Sequence, residues 1–159
     1  MNKTITPEPQ VDDDQLVTWW GLVIEGYHVT SERLAAEIER QFGLSMPSFD
    51  ILIRLVRSPE NRMQMTMLAK EAALSSGGFT KVADRLTKAG LIHREPSETD
   101  RRVTYAVLTD HGLDVATRAR AVCADLLRER VLAPLGQQNS ANLAQAMRTL
   151  RTHNGSEND

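Results

Sequence analysis

Between Leu74 and Gly112 the chain reads LSSGGFTKVADRLTKAGLIHREPSETDRRVTYAVLTDHG, and its small, polar and basic residues are spaced for contact with a polyanion. Ser75, Ser76, Gly77 and Gly78 make a leading edge without bulk. Thr80, Lys81, Arg85 and Lys88 follow with hydrogen-bond donors and positive charge. On a helix, Lys81, Arg85 and Lys88 share one side, where cations meet phosphates or base edges. The bland alternative is the solvated face of a core-packed helix, and Asp84 keeps that face from being purely basic. Paired glycines in a first turn lower helix stability. Close backbone approach to a partner or a plain cap-region loop would each account for them. Past Gly90 comes a turn carrying Asp100, Arg101 and Arg102. Asp100 and Arg102 lie two apart, close enough for a carboxylate–guanidinium hydrogen bond that stiffens the turn. Arg101 or Arg102 can then be presented toward a narrow minor groove, the bland alternative being a solvated turn with a surface ion pair worth little. A helix able to approach closely, beside a basic finger, suits two adjacent grooves of duplex DNA.

Those residues need a scaffold, and the remaining sequence supplies one. Residues 1–10 carry two prolines and no periodicity, which predicts a flexible N-terminal arm. Leu16, Trp20, Val23, Tyr27, Leu34, Ile38 and Phe42 fall at helical spacing and predict one long amphipathic helix over 12–42. Its stripe is covered either by another chain or by its own domain. Gly43 suits the C-terminal cap, and Ser45 with Pro47 opens a second helix that Ser58-Pro59 stops. A short extended segment at Met63–Met65 leads to Thr66, a good N-cap for a helix through Leu68 and Ala72. The link Ala73–Ser76 is short enough for a helix-turn-helix corner. Phe79, Val82, Ala83 and Leu86 give the next helix an apolar face. Leu91–Glu95 and Arg102–Leu108 read as strands around a turn at Pro96–Thr99. Thr109 caps a long helix from about Asp110 to Leu132, ended by Pro134, and a short helix follows from about Asn139. Residues 153–159 read as a disordered polar tail.

At 159 residues there is enough chain for one ordinary core. Aromatics make up only 4%, so that core is built mainly from aliphatic side chains and leans helical. A net charge of −2 argues weakly against nucleic acid. Its acids crowd the ends, at Glu8, Asp12–Asp14, Glu157 and Asp159, while basic residues outweigh acidic ones between Arg54 and Arg102. No run approaches membrane-helix length and no signal-peptide core is present, so a cytoplasmic protein is expected, with the lone Cys123 fitting a reducing compartment. His28, His93, His111 and His153 are scattered, without metal-ligand spacing, and no phosphate loop or nucleophile elbow occurs. Neither enzymatic activity nor a cofactor is expected.

The order of elements is mainly α with a small β-wing, a winged helix-turn-helix flanked by long N- and C-terminal dimerisation helices. It resembles the MarR family of bacterial transcription regulators. Asp100–Gly112 (DRRVTYAVLTDHG) fits that family's wing pattern D-x-R-x5-L-T-x-x-G at every fixed position. Ser75–Ile92 resembles its recognition helix and first wing strand. The likeness spans about residues 12–152. It implies a winged helix-turn-helix at 43–112 between dimerisation regions at 11–42 and 113–152. It also implies a homodimer on a pseudo-palindromic operator, probing DNA with Ser75, Ser76, Gly77, Gly78, Thr80, Lys81, Arg85, Arg101 and Arg102, and with Asp100 stabilising the wing. Repression is the expected role. A winged-helix module for a protein partner is the alternative that binds no DNA.

The resemblance further implies release from DNA by a small aromatic or phenolic ligand bound between the dimerisation and DNA-binding parts. Trp19, Trp20, Tyr27, His28, Asp50, Arg54 and Arg94 are the candidates for that cleft. The tryptophans would equally serve one in the core and one in a dimer interface. Asp50 and Arg94 occupy places matching the urate-responsive branch, but Val82 stands where that branch has an arginine, leaving a bound anion less compensated. Cys123 as an oxidant sensor is a further alternative, set against its place on an apolar stripe beside Val122 and Leu126.

Overall fold

The computed structural model describes residues 11–72 and 74–155; the arm expected at 1–10, Ala73 and residues 156–159 lie outside them. Helix α1 spans Asp13–Phe42, α2 Met46–Arg57 and α3 Met65–Glu71, with strand β1 at Arg62–Gln64 between the last two. Helix α4 (Ser76–Lys88) is followed by β2 (Ile92–Pro96), β3 (Thr104–Leu108), α5 (Asp110–Leu127) and α6 (Ala133–Gly155). Expectation and structure agree on a mainly helical chain with a small wing.

Local chemistry fixes most boundaries. Asp12 accepts from the Gln15 amide at 2.7 Å to start α1. Gly43 ends it in the left-handed region at φ 65°, its N–H donating to the Glu39 carbonyl, a conformation cheap only for glycine. Ser45 and Ser75 accept from the amides of Ser48 and Gly78 to open α2 and α4. Helix α2 is the centre of the core: Phe49, Ile51, Leu52, Ile53 and Leu55 are buried with Leu68, Phe79, Leu86, Ile92, Ala106 and Ala116 from the surrounding elements. Only the C-terminal end of α1 joins that core, through Ile38 with Phe42 packed against it.

The wing is a three-stranded antiparallel sheet in the order β1-β3-β2. Ile92 pairs with Leu108 and Pro96 with Thr104, so β2 starts and ends one residue later than expected, while β3 starts two residues later and ends at Leu108 as expected. Thr66 is not a cap. Gln64 pairs with Tyr105, which holds the backbone extended up to Gln64, and α3 starts directly afterwards at Met65. Its cap residue Gln64 makes no capping hydrogen bond; the side chain reaches Tyr105 Oη at 3.5 Å instead.

The base of the wing is locked to α5. Thr109 Oγ1 accepts from the Gly112 amide at 2.9 Å and donates to the Gly90 carbonyl at 2.7 Å, while its own amide donates to the Leu91 carbonyl at 3.1 Å. Gly112 is buried so closely that a Cβ there would stand 1.9 Å from the Leu91 oxygen.

Pro134 does not end the helix. From Arg128 to Leu132 the turn widens to a π-helix, the Ala133 amide donating to the Arg128 carbonyl five residues back. Proline has no amide to offer, and a widened turn lets the chain pass it. The break falls at Gly136, with φ 73° and ψ 166°, and α6 then runs to Gly155, so 153–155 belong to a helix and not to the tail.

Candidate nucleic-acid interface

Helix α4 is amphipathic in the sense its sequence demands. Phe79, Ala83 and Leu86 are buried, while Gly77, Thr80, Lys81, Asp84, Arg85 and Lys88 are exposed. Ser75 is engaged as the cap, its Oγ accepting from the Gly78 amide at 3.2 Å. Ser76 opens the helix; its side chain lies outside the described residues.

In the wing, Ser97 and Asp100 organise the loop. The Ser97 amide donates to Val103 O at 2.9 Å, and the Asp100 amide donates to Ser97 Oγ at 3.4 Å. The Asp100 carboxylate accepts from the Arg102 amide at 3.0 Å and from its Nε and Nη2, each at 3.2 Å. These bonds from Arg102, side chain first and backbone second, hold the Asp100 carboxyl below its ordinary pKa. The Arg102 side chain nevertheless stays 90% exposed, its guanidinium held by the Nε–Nη2 edge with further donors to spare. Arg101 is exposed beside it, and no ion pair is seen for it among the described residues.

One contact invisible in the sequence ties the two parts together. Arg94 Nη2 on β2 donates to Asp84 Oδ1 on α4 at 2.6 Å. The acid that dilutes the charge of the α4 face is therefore compensated within the chain, and it braces the wing against the helix. A second such pair fixes α2 to α3: Arg54 donates to Asp50 at 2.7 Å and to Glu71 at 3.3 Å. Partial burial works against that guanidinium, but the two carboxylates outweigh it and raise its pKa.

The residues proposed for a ligand cleft are thus in several settings. Asp50 and Arg54 are committed to each other, Arg94 to Asp84, and His28 faces Glu32 at 3.2 Å. Trp19, Trp20 and Tyr27 stand on the N-terminal half of α1, exposed to 49%, 54% and 74%. Of the seven, Tyr27 alone lines an apolar cavity of about 500 Å³ between α1 and the α5–α6 joint, with Leu22, Leu34, Leu127, Leu143 and Met147. This cavity is not legible in the sequence: the apolar stripes of α1 and α6 are, but their juxtaposition is set by the fold.

Cys123 is half-buried on α5, and burial pushes its thiol pKa up. A reactive thiol needs the opposite shift. We expect Cys123→Ala to leave any oxidant response of DNA binding unchanged in a peroxide titration; loss of such a response would reinstate the sensor. Among the described residues no cluster of His, Cys, Asp or Glu is set to hold a metal, and no helix is long and apolar enough to cross a membrane.

Comparisons with known proteins agree with this architecture. Residues 42–103 match the MarR family model. Over 71 residues the chain is 35% identical to the transcriptional regulator MhqR of Bacillus subtilis, a stretch covering 45% of this chain and about half, 48%, of that relative. AbsC, a MarR family transcriptional regulator from Streptomyces coelicolor, superposes with a TM-score of 0.81 at 26% identity, over 94% of this chain and 99% of that one. Sco3205 from the same organism, a MarR family regulator solved in complex with DNA, gives a TM-score of 0.79 at 28% identity over 91% of each chain. The family match is confined to residues 42–103 while the superpositions run over the flanking helices as well, so the chain is similar to MarR family transcriptional regulators over nearly its whole length.

Proposed function

We propose that the protein is a homodimeric, sequence-specific DNA-binding transcription regulator that acts as a repressor. Residues 43–112 form the reading unit, and 11–42 with 113–152 hold two copies together. The observation that carries the proposal is the outward face of α4, exposed from Gly77 to Lys88, next to a wing whose Arg102 is held out by Asp100. Two such helices about 34–36 Å apart would enter successive major grooves of a pseudo-palindromic site, with the wings in the flanking minor grooves. Lys81 and Arg85 supply phosphate or base contacts, and Arg101 and Arg102 the minor-groove contacts. Release by a small aromatic or phenolic effector is part of the same proposal. The exposed aromatics of α1 and an apolar cavity within the usual size range of ligand sites support it.

Selection of genomic fragments by the purified protein, followed by gel shift, tests the main reading; failure to enrich any fragment sinks it and favours the protein-partner alternative. Arg101→Ala and Arg102→Ala should each weaken operator binding by about 1–3 kcal/mol. Asp100→Asn gives the sharper result. Removing a negative charge from a DNA-facing loop should tighten binding by Coulomb's law alone. If Asp100 serves to preorganise Arg102, the variant instead binds roughly 1 kcal/mol more weakly. Tighter binding would show that the clamp has no such role. Loss of DNA on adding salicylate or urate, with a rise in thermal stability, is the result expected of an effector; neither change with any aromatic anion tested would retire that part.

A further inference from the structure

Gly77 and Gly78 are adjacent in the first turn of α4, yet the structure gives them different reasons to be glycine. A Cβ on Gly78 would stand 3.0 Å from Ser75 Oγ, the oxygen that caps the helix by accepting from the Gly78 amide. That is tighter than ordinary van der Waals contact, so the cap itself disfavours a side chain there. A Cβ on Gly77 would meet nothing within 4 Å, and its backbone is not left-handed. The residue is exposed. Nothing within the described chain therefore calls for glycine at 77, although glycine is a poorer helix former than alanine.

The position of Gly77 says where the reason lies. Lys81 is one turn further along the same side, and Thr80 is its neighbour there. Phe79, Ala83 and Leu86 point the other way, into the core. Gly77 is thus the point on the exposed face of α4 where the backbone, not a side chain, forms the surface. We infer that Gly77 is a specificity-determining close-approach position, at which the α4 backbone packs against base edges on the floor of the major groove with no room for a methyl group. The inference rests on α4 being the recognition helix. Phosphate contact alone would not require it, because phosphates stand at the groove rim and are reached by long side chains such as Lys81 and Arg85. The floor is different: the groove is lined by donors, acceptors and thymine methyl groups, and a helix that seats on them is sensitive to single carbon atoms.

Gly77→Ala separates the two sides of this reading, because its effects have opposite signs. The free protein should unfold a few degrees higher, by roughly 1–4 °C. Affinity for the operator selected by the wild type should fall about tenfold or more, while affinity for an unrelated duplex of equal length stays unchanged, so the specificity ratio shrinks. Gly77→Ser should behave alike at the operator, which guards against a peculiarity of one side chain. Wild-type operator affinity in the alanine variant would overturn the inference, as would an equal loss on both duplexes or a lowered unfolding temperature. If the wild type selects no DNA fragment at all, it is the recognition-helix reading that fails, and the two failures are told apart by that control.

Discussion

Gly112→Ala is expected to be the most damaging single-methyl change in the chain, lowering stability by about 2–4 kcal/mol. For a chain of this size that corresponds to a fall in the thermal midpoint of roughly 5–15 °C, read by circular dichroism. The reason is geometric. The new Cβ would be built 1.9 Å from the Leu91 carbonyl oxygen and 2.8 Å from its carbon, with Leu108 Cδ2 at 3.1 Å on a further side. A flexible side chain can swing away, but a carbonyl cannot. The Leu91 oxygen also accepts the Thr109 amide, so moving it breaks the bond that seats the first turn of α5 on the wing. Thr109→Val, which keeps the shape but removes the cap acceptor for the Gly112 amide and the donor to Gly90, should cost about 1–2 kcal/mol. Since both changes act on one joint, the double variant should lose less than the sum. An unaltered midpoint in Gly112→Ala would mean that α5 can lift off the wing freely, contrary to this account.

That joint gives the L-T-x-x-G part of the wing pattern a physical content. Leu108 is buried, Thr109 is both cap and strut, and Gly112 is the close approach. The strut to Gly90 and the approach to Leu91 reach back about twenty residues and appear only in the fold, whereas the cap is legible in a sequence because it acts within one turn. The same holds for Gly43, Ser45 and Ser75, whose capping depends only on their own turn. Where a distant strand decides, the sequence misleads. Thr66 has the chemistry of a cap, but the pairing of Gln64 with Tyr105 places the helix start before it. Pro134 has the chemistry of a helix stop, yet a π turn at 128–132 absorbs the missing amide and Gly136 makes the break.

The same division runs through the candidate site. The face of α4 follows from a period of 3.6, and the Asp100–Arg102 clamp spans two residues, so both could be anticipated. Arg94 and Arg54 could not. Their partners, Asp84 and Glu71, are brought to them by the packing of β2 on α4 and of α2 beside α3, ten and seventeen residues away. Residues that looked available for an anionic ligand are thereby engaged as struts, and an effector using Arg94 would have to displace Asp84 from it. The apolar cavity beside Tyr27 was hidden for the same reason, since its walls come from opposite ends of the chain.

The largest functional effect is expected from α1 and α6, which lie outside the proposed DNA-reading unit. Among the described residues, every large hydrophobic side chain left exposed, Met67 excepted, lies within 11–29 or 127–150. Leu16, Leu22, Ile24 and Val29 line much of α1, and Leu143, Met147 and Leu150 line α6, a concentration that a lone soluble domain does not leave to water. In the proposed dimer these two faces cover each other, and charge placed among them would be buried without a partner. Leu143→Glu with Met147→Glu should therefore give a monomer by light scattering after size exclusion, while the core around α2, which neither residue joins, keeps its secondary structure. Operator affinity should then fall on the order of 10²-fold or more, because the second half-site is no longer held at high local concentration. The residual binding should show a shallower salt dependence, since half the phosphate contacts are gone. A folded monomer that bound the full operator as tightly as wild type would refute the dimeric arrangement. It would assign the exposed faces of α1 and α6 to some other partner. A variant that remained dimeric would show that the interface does not include the Leu143 and Met147 face of α6.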